Sequence, residues 1–355
     1  MVSQALLLLC RPGFEKECLA EITAVAAELG HTGWARLEAD SGFIRFECAT
    51  ADALYAELSP LVFAREVWPV LTTIDALPAA DRITPIIDAL HSTLGRESAT
   101  LGQLFCDTAE GDAYRATARF AGKFVHPLRQ ALRSENVLLP KDKAARPALH
   151  AFFPDSGRVW LGIDRPAMRP AWSMGVARLK FPSTAPSRST LKLEEAFQVF
   201  LGTDWREQVG NDHTAVDLGA APGGWTWQLV RRGLHVDAID NGPMNDDLMA
   251  TGQVTHHRAD GFRWQPEYPV DWLVCDMVEQ PSRVAERMLD WLENGWARQA
   301  IFNLKLPMKQ RWASWSDIRA RIEQRLSGRR YQLQARQLYF DREEITLYLA
   351  LEATA

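Results

Sequence analysis

Val216-Asp217-Leu218-Gly219-Ala220-Ala221-Pro222-Gly223-Gly224-Trp225 is the stretch whose reading decides the fold. The apolar run that enters it, Thr214 to Leu218, reads as a strand, and Trp225 to Arg232 reads as a helix. A glycine loop between them lies at the carboxyl end of a strand, where open α/β sheets bind ligands. Glycine lets a ligand approach the backbone closely, and the helix beyond offers unpaired N–H groups to an anion. Positions 221 and 222 are Ala and Pro, so the loop is not G-x-G-x-x-G and a nicotinamide site is disfavoured. No Lys-Ser/Thr pair follows, which excludes a nucleoside-triphosphate loop. A proline beside the glycines suits a ligand whose charged end is small, such as an amino acid.

Outward from the loop the same alternation continues. Thr190 to Phe200 reads as a helix, His235 to Ile239 and Trp272 to Cys275 as strands, and Ser282 to Leu292 as a helix. Ala300 to Leu304 is a strand, Ser314 to Leu326 a helix, and Tyr331 to Leu338 and Ile345 to Leu351 are closing strands. Strands alternating with helices predict an α/β domain with a mostly parallel sheet covered on both faces. Asp240 ends the strand after the glycine loop, where an acid can accept from both hydroxyls of a ribose. Asp260 follows the next short strand, where an acid can accept from an adenine amino group. Three strand-end features thus converge on one nucleoside.

From about Ser189 to the C-terminus the chain resembles the S-adenosylmethionine-dependent methyltransferases with a seven-stranded, Rossmann-like sheet. The resemblance implies S-adenosylmethionine as cofactor, with Ser189, Ala221, Pro222, Gly223, Gly224, Asp240, Asp260 and Asp276 lining its pocket.

Four charged residues fall where strands and a helix would deliver them to that pocket. Lys192 lies in the helix opened by Ser187-Arg188-Ser189, Asp276 closes the Trp272–Cys275 strand, Lys305 follows Ile301-Phe302-Asn303-Leu304, and Glu344 stands near the start of the last strand. Methyl transfer from a sulfonium is an in-line displacement, so an enzyme must chiefly align the acceptor and remove its proton. A ribose hydroxyl is a very weak acid and needs a base in hydrogen-bond reach. A lysine can serve when a neighbouring cation and partial burial lower its pKa. We expect Lys305 to be the base, with Lys192, Asp276 and Glu344 supporting it; Glu343 could stand in for Glu344. The segments Ser187–Leu193, Cys275-Asp276-Met277, Leu304-Lys305 and Arg342-Glu343-Glu344 resemble the tetrad of the FtsJ-type ribose 2′-O-methyltransferases. Asp276-Met277-Val278-Glu279 lacks the proline-aromatic tetrapeptide of base-directed amino methyltransferases. Cytosine-C5 chemistry needs a nucleophilic cysteine, and Cys275, inside a strand, should point away from Asp276.

The N-terminal half begins with a strand, Ala5 to Leu9, a Pro12-Gly13 turn, a helix over Phe14 to Leu29 and a strand around Phe43 to Phe46. Leu9-Cys10-Arg11-Pro12-Gly13-Phe14-Glu15-Lys16-Glu17 resembles the opening of proteins in which a ferredoxin-like unit precedes a THUMP RNA-binding domain. Between Arg115 and Arg146 stand eight basic and two acidic side chains, a net charge of +6. Lysines and arginines in such a segment contact phosphates. Pro127 reads as the first residue of a helix that sets Arg129 and Arg133 on one face. Ala148 to Ile163 reads as a strand pair.

Composition bounds these readings. The 355 residues, 47% hydrophobic and 24% charged, describe an ordinary globular chain of two or three domains rather than a disordered one. The net charge of −5 denies a wholly basic nucleic-acid binder but not a local basic patch. No apolar run approaches the roughly 18–20 residues of a membrane span, and the early run Ala5 to Cys10 lacks the flanks of a signal peptide. A cytoplasmic protein without a membrane partner is expected. Five scattered cysteines with no CxxC pair support neither a zinc ribbon nor a disulfide framework, and no metal is expected.

With Pro186 to Glu195 and Asp217 to Trp225 in this order, essentially the whole chain resembles the bacterial 23S rRNA cytidine ribose 2′-O-methyltransferases. That implies a single cytidine in the peptidyl-transferase region as target and 23S rRNA or a large-subunit precursor as partner, with a monomer favoured. The expected domains are a ferredoxin-like unit over 1–60, a THUMP domain over 61–165, a linker over 166–188 and the methyltransferase domain over 189–355. Two rivals remain at this point. One is a THUMP-type RNA base methyltransferase, which alkaline hydrolysis of the modified RNA would distinguish. The other is a non-catalytic RNA-binding assembly factor, which would bind no cofactor.

Overall fold

In the computed structural model, which describes residues 3–95, 101–210 and 212–352, the chain separates into two units, Met1–Val176 and Ala177–Ala355, each with its own sheet. The first unit runs β1 (Ala5–Cys10), α1 (Glu15–Glu28), β2 (Phe43–Glu47), α2 (Ala51–Glu57), β3 (Ala64–Ile74), α3 (Ile83–Leu94), β4 (Gln103–Asp107), α4 (Arg115–Ser134), β5 (Ala148–Asp155) and β6 (Arg158–Ile163). Every residue of β1 is buried, as an unbroken apolar run requires of a strand covered on both faces.

The six strands form one sheet in the order β2-β1-β3-β6-β5-β4. The eleven-residue β3 is what joins it. Its first half pairs with β1, Leu9 opposite Glu66, and its second half with β6, Ile74 opposite Val159. The regions read from sequence as 1–60 and 61–165 therefore share a single sheet.

Helix α4 corrects the reading of Pro127. The proline lies inside a twenty-residue helix rather than at its start. Upstream, Thr117 and Ala121 are buried with Leu128 and Leu132, and that apolar stripe outweighs the one intrahelical bond a mid-helix proline removes. Arg129 and Arg133 also turn inward. Arg129 Nη2 donates to the Leu104 carbonyl (3.3 Å), and Arg133 donates to the Leu139 carbonyl (3.2 Å) and to Asp142 (2.7 Å). The exposed bases are Arg115, Arg119, Lys123, Lys141, Lys143 and Arg146.

The second unit runs α5 (Thr190–Leu201), α6 (Trp205–Gln208), β7 (Thr214–Leu218), α7 (Gly224–Val230), β8 (His235–Ile239), α8 (Asp246–Met249), β9 (Val254–His257), β10 (Val270–Cys275), α9 (Pro281–Glu293), β11 (Ala297–Lys305), α10 (Arg311–Arg325), β12 (Tyr331–Arg336) and β13 (Glu344–Leu351). Its seven strands lie in the order β12-β13-β11-β10-β7-β8-β9. Strands β7 to β11 are mutually parallel, and β13 enters antiparallel between β11 and β12. The chain winds outward from β7 through β8 to β9, then crosses back to β10 on the other side of β7. That reversal opens a crevice at the carboxyl ends of β7 and β10, the place where such sheets take ligands. Phe197, Leu229, Trp272 and Ile301 pack in the core that holds these strands.

Among the described residues no helix is long and apolar enough to cross a membrane.

Candidate active site

The crevice is a cavity of about 500 Å³ lined from four strand ends, a size ordinary for small-molecule sites. Gly219 and Ala221 come from the loop after β7, Asp240 from the end of β8, Asp260 from beyond β9, and Asp276 and Met277 from the end of β10. The loop is stitched in place by Gly219 N and Ala220 N, which donate to the Ile239 carbonyl (2.9 and 3.3 Å). Gly219 has φ +77°, and a Cβ there would stand 2.5 Å from Met277 Cγ. Only glycine meets both demands.

Ser189, Pro222, Gly223 and Gly224, expected in the lining, do not line this cavity. They build the loop from behind. A Cβ on Gly224 would lie 2.2 Å from Ser189 Oγ, and the Ser189 carbonyl accepts from Trp225 Nε1 (3.0 Å). Gly224 thus serves close packing between α5 and α7, while Gly223, at φ +111°, leaves room for Leu248, whose Cδ2 would stand 2.5 Å from a Cβ there. Asn241, Phe262 and Arg283, which no sequence pattern singled out, also line the cavity.

The four tetrad residues do meet. Lys305 Nζ donates to Asp276 Oδ1 at 2.5 Å and lies 3.7 Å from Glu344 Oε1. Lys192 Nζ pairs with the same Glu344 oxygen and lies 3.5 Å from Asp276 Oδ2. The register explains the pairing: Lys305 and Glu344 face each other across the β11/β13 ladder, and α5 lays Lys192 over them. Glu343 points elsewhere, its carboxylate held by Arg311 at 2.5 Å. Glu344 is the acid of the cluster.

Three family descriptions and many whole-chain relatives match this sequence. The family described as RlmM ferredoxin-like domain matches residues 3–68, ribosomal RNA large subunit methyltransferase M, N-terminal, matches 81–165, and FtsJ-like methyltransferase matches 185–306. A protein of Erwinia tasmaniensis named ribosomal RNA large subunit methyltransferase M is 49% identical over 353 residues, covering 97% of this chain and 95% of that one. Its namesake in Dickeya chrysanthemi is 48% identical over 351 residues, covering 96% and 95%. The chain belongs to the ribosomal RNA large subunit methyltransferase M family.

The cavity of this family member can be tested against S-adenosylmethionine. Asp240 accepts from Ala221 N (3.1 Å) and Gly242 N (2.7 Å), one to each oxygen. A carboxylate has about four acceptor sites, so its orientation is fixed while capacity for two ribose hydroxyls remains. Asp260 accepts from Phe262 N (2.9 Å) through Oδ1, and its Oδ2, with Arg263 Nε 3.6 Å away, has lone-pair capacity left for an amino group. The acids of the wall suit a ligand carrying a sulfonium and an ammonium. The residues present fit the group.

The electrostatics refine the expectation for the lysines. Burial alone would lower the pKa of Lys192, but Asp276 and Glu344 outweigh it and hold it above the ordinary lysine value. Lys192 is thereby kept as the charged, supporting lysine of the pair. Burial would raise Glu344, yet Lys192 and Lys305 hold it below the usual carboxylate range. Burial pushes the Cys275 thiol up to about 12, so it is no nucleophile at neutral pH.

A buried acid was missed altogether. Asp217, inside β7, is 1% exposed, accepts from Thr226 Oγ1 (2.7 Å), and is raised by burial to about 7. Its place in the Val216-Asp217-Leu218 run was the available signal, since a charge inside a central strand must be neutral or paired.

Proposed function

We propose that this chain methylates the 2′-hydroxyl of a ribose in large-subunit ribosomal RNA, and that the substrate within that class is a single cytidine of 23S rRNA. It is an enzyme, and its methyl donor is S-adenosylmethionine. The observation that carries the reading is the convergence of Lys192, Asp276, Lys305 and Glu344 at the edge of the cavity lined by Gly219, Asp240 and Asp260.

When bound, S-adenosylmethionine supplies a methyl carbon already activated by its sulfonium. The protein's task is then proton removal and alignment. Lys305 is the more exposed of the two lysines, 21% against 14%, and its amine takes the hydroxyl proton. Asp276 and Glu344, 2.5 and 3.7 Å from that amine, orient it and stabilise its charge once it is protonated. Lys192, kept charged by the same acids, balances one of them, so the cluster carries a single net negative charge while the Lys305 amine is neutral and none once that amine takes the proton. Asp240 holds the ribose and Asp260 the adenine of the donor.

The exposed bases Arg119, Lys123, Lys141, Lys143 and Arg146 of the first unit supply phosphate contacts, consistent with a THUMP-like role for residues 61–165. The test is a methylation assay with purified protein, labelled S-adenosylmethionine and 23S rRNA, followed by alkaline hydrolysis. A 2′-O-methyl group blocks cleavage on its 3′ side, so the label should appear in an alkali-resistant dinucleotide. Label recovered in a mononucleotide with a modified base would overturn the reading. Running unmodified rRNA beside precursor particles decides which of them is the substrate.

A further inference from the structure

Behind the tetrad lies a chain of buried polar groups with no solvent contact. Asn303, Asp341 and Thr346 are each 0% exposed. Asn303 and Thr346 face each other in the β11/β13 ladder, two positions along from the Lys305–Glu344 pair. The two-residue period of a strand puts all four on one face. Asn303 Nδ2 donates to Asp276 Oδ1 at 2.8 Å, the same oxygen that receives Lys305. Asn303 Oδ1 accepts from Thr346 Oγ1 at 2.7 Å. Thr346 Oγ1 in turn lies 3.1 and 2.9 Å from Asp341 Oδ1 and Oδ2, and Oδ2 also accepts from Leu338 N at 2.9 Å.

Counting protons gives this chain a direction. Asp276 is acceptor-only when ionised, so the Asn303 amide must turn its NH₂ toward it and its oxygen toward Thr346. A hydroxyl has one proton, and the Asn303 oxygen takes it. Nothing remains on Thr346 to give Asp341, so the contact between them closes only if Asp341 is protonated and donates through Oδ1. Burial, with Glu344 nearby, does raise Asp341 well above the usual carboxylate range. An ionised Asp341 would claim the Thr346 proton, leave the Asn303 oxygen without a donor, and free the amide to rotate.

We propose that Asp341, Thr346 and Asn303 form a directional hydrogen-bond relay, begun by a neutral carboxyl group, that orients the Asn303 amide toward Asp276 and so positions Lys305 for methyl transfer. This rests on the reading of Lys305 as the base. The three are positioning residues, since none touches a reacting atom.

The test compares four folded variants by steady-state kinetics, with thermal unfolding as the fold check. Thr346→Val keeps the shape and removes the hydroxyl; kcat should fall about tenfold or more while the KM for RNA and for S-adenosylmethionine stays within about twofold. Thr346→Ser restores the hydroxyl and should recover kcat to within about threefold. Asp341→Asn places an N–H where the carboxyl proton stands and should keep kcat within about threefold. Lys305→Ala serves as the reference. If it is inactive while Thr346→Val retains full kcat, the relay is overturned and the base reading stands. If Lys305→Ala retains full activity, the base reading falls and takes the relay with it. Should Thr346→Val fail to fold, Asp341→Asn decides: a folded protein with kcat down tenfold or more means that a charged Asp341 is needed, which overturns the relay.

Discussion

In the first unit Glu66, His150, Asp164 and Arg169 meet in one buried cluster; in the second, Lys192, Asp276, Lys305 and Glu344 meet in another. His150 Nδ1 lies 3.3 Å from Glu66 and Nε2 lies 3.0 Å from Asp164, while its ring is stacked between Trp68 and Phe105 with centroids 5.2 Å away on each side. Arg169 grips Asp164 with two bonds of 2.6 and 2.7 Å. Both clusters contain perturbed groups. Burial raises Glu66 to about 7, and Asp164 is held down to about 2 because Arg169 and His150 outweigh its burial.

Access separates them. The gap beside His150, bounded by Leu9, Trp68 and Phe152, is too small to admit a water. The second cluster sits at strand ends beside a ligand-sized cavity, with side chains 7–21% exposed. What the first cluster holds is chain. Arg169 also ties down the Ala144 and Arg146 carbonyls, Ser173 Oγ bonds Asp107, and Met174 N bonds Glu66. Residues 166–175, which fall in the linker expected over 166–188, are thereby clamped onto the first sheet. A perturbed charge cluster is a functional site only when a substrate can reach it.

The sharpest way to break this contrast is to delete one group from each cluster. Lys305→Ala should lower methyl transfer by about 10²–10⁴-fold, the range of a lost general base, with cofactor binding by calorimetry and the melting temperature nearly unchanged. Activity retained in this variant would remove the distinction between the clusters. Asp164→Ala should do the opposite. It strands Arg169 and His150 in the interior and should cost about 3–5 kcal/mol of unfolding free energy, measured by urea denaturation, while the folded protein keeps its kcat. A folded Asp164→Ala with normal stability and no turnover would put catalysis in the wrong unit.

Asp217 sharpens the comparison along the pH axis, because it is buried like the first cluster yet lies beneath the cofactor loop. Its folded pKa, about 7, is above the ordinary aspartate value of 3.8. The folded state therefore binds this proton more tightly, and the stabilisation is full below pH 3.8 and lost as pH rises through 7. From pH 5 to 8 the wild-type chain should lose about 2–3 kcal/mol through this group. Asp217→Asn keeps an oxygen for Thr226 Oγ1 and should show a correspondingly shallower decline in denaturation at the two pH values. An unchanged slope would mean that Asp217 is ionised in the fold.

The sequence revealed the parts of the site that a single strand end can deliver. Asp240, Asp276 and Lys305 each close an apolar run, and a run of that kind announces both a strand and its exit. Asn303 and Thr346 were illegible because their meaning lies in a cross-strand pairing between residues 43 apart; each alone is an ordinary polar residue in an apolar stretch. His150 met the same obstacle, with partners on β3 and just beyond β6. Pro127 misled because local propensity admits a helix start there, while the tertiary stripe through Thr117, Ala121 and Leu128 carries the helix past it. The separation of the loop glycines into cavity-facing Gly219 and packing Gly224 is likewise a matter of three dimensions.

The smallest expected effect settles which of two adjacent acids belongs to the reactive cluster. Glu343 and Glu344 differ by one position at a strand start, so their side chains leave on opposite faces. Glu344 is 6% exposed and meets both lysines, whereas the Glu343 carboxylate is 45% exposed and bonds Arg311. Glu343→Gln gives up a half-exposed ion pair worth about 0–1 kcal/mol and should leave kcat unchanged. Glu344→Gln removes the charge shared by Lys192 and Lys305 and should reduce kcat with little change in KM. If the two variants exchanged these outcomes, the lysines would be answering to the outer acid, and the register that pairs Lys305 with Glu344 would not be the one in which the enzyme works.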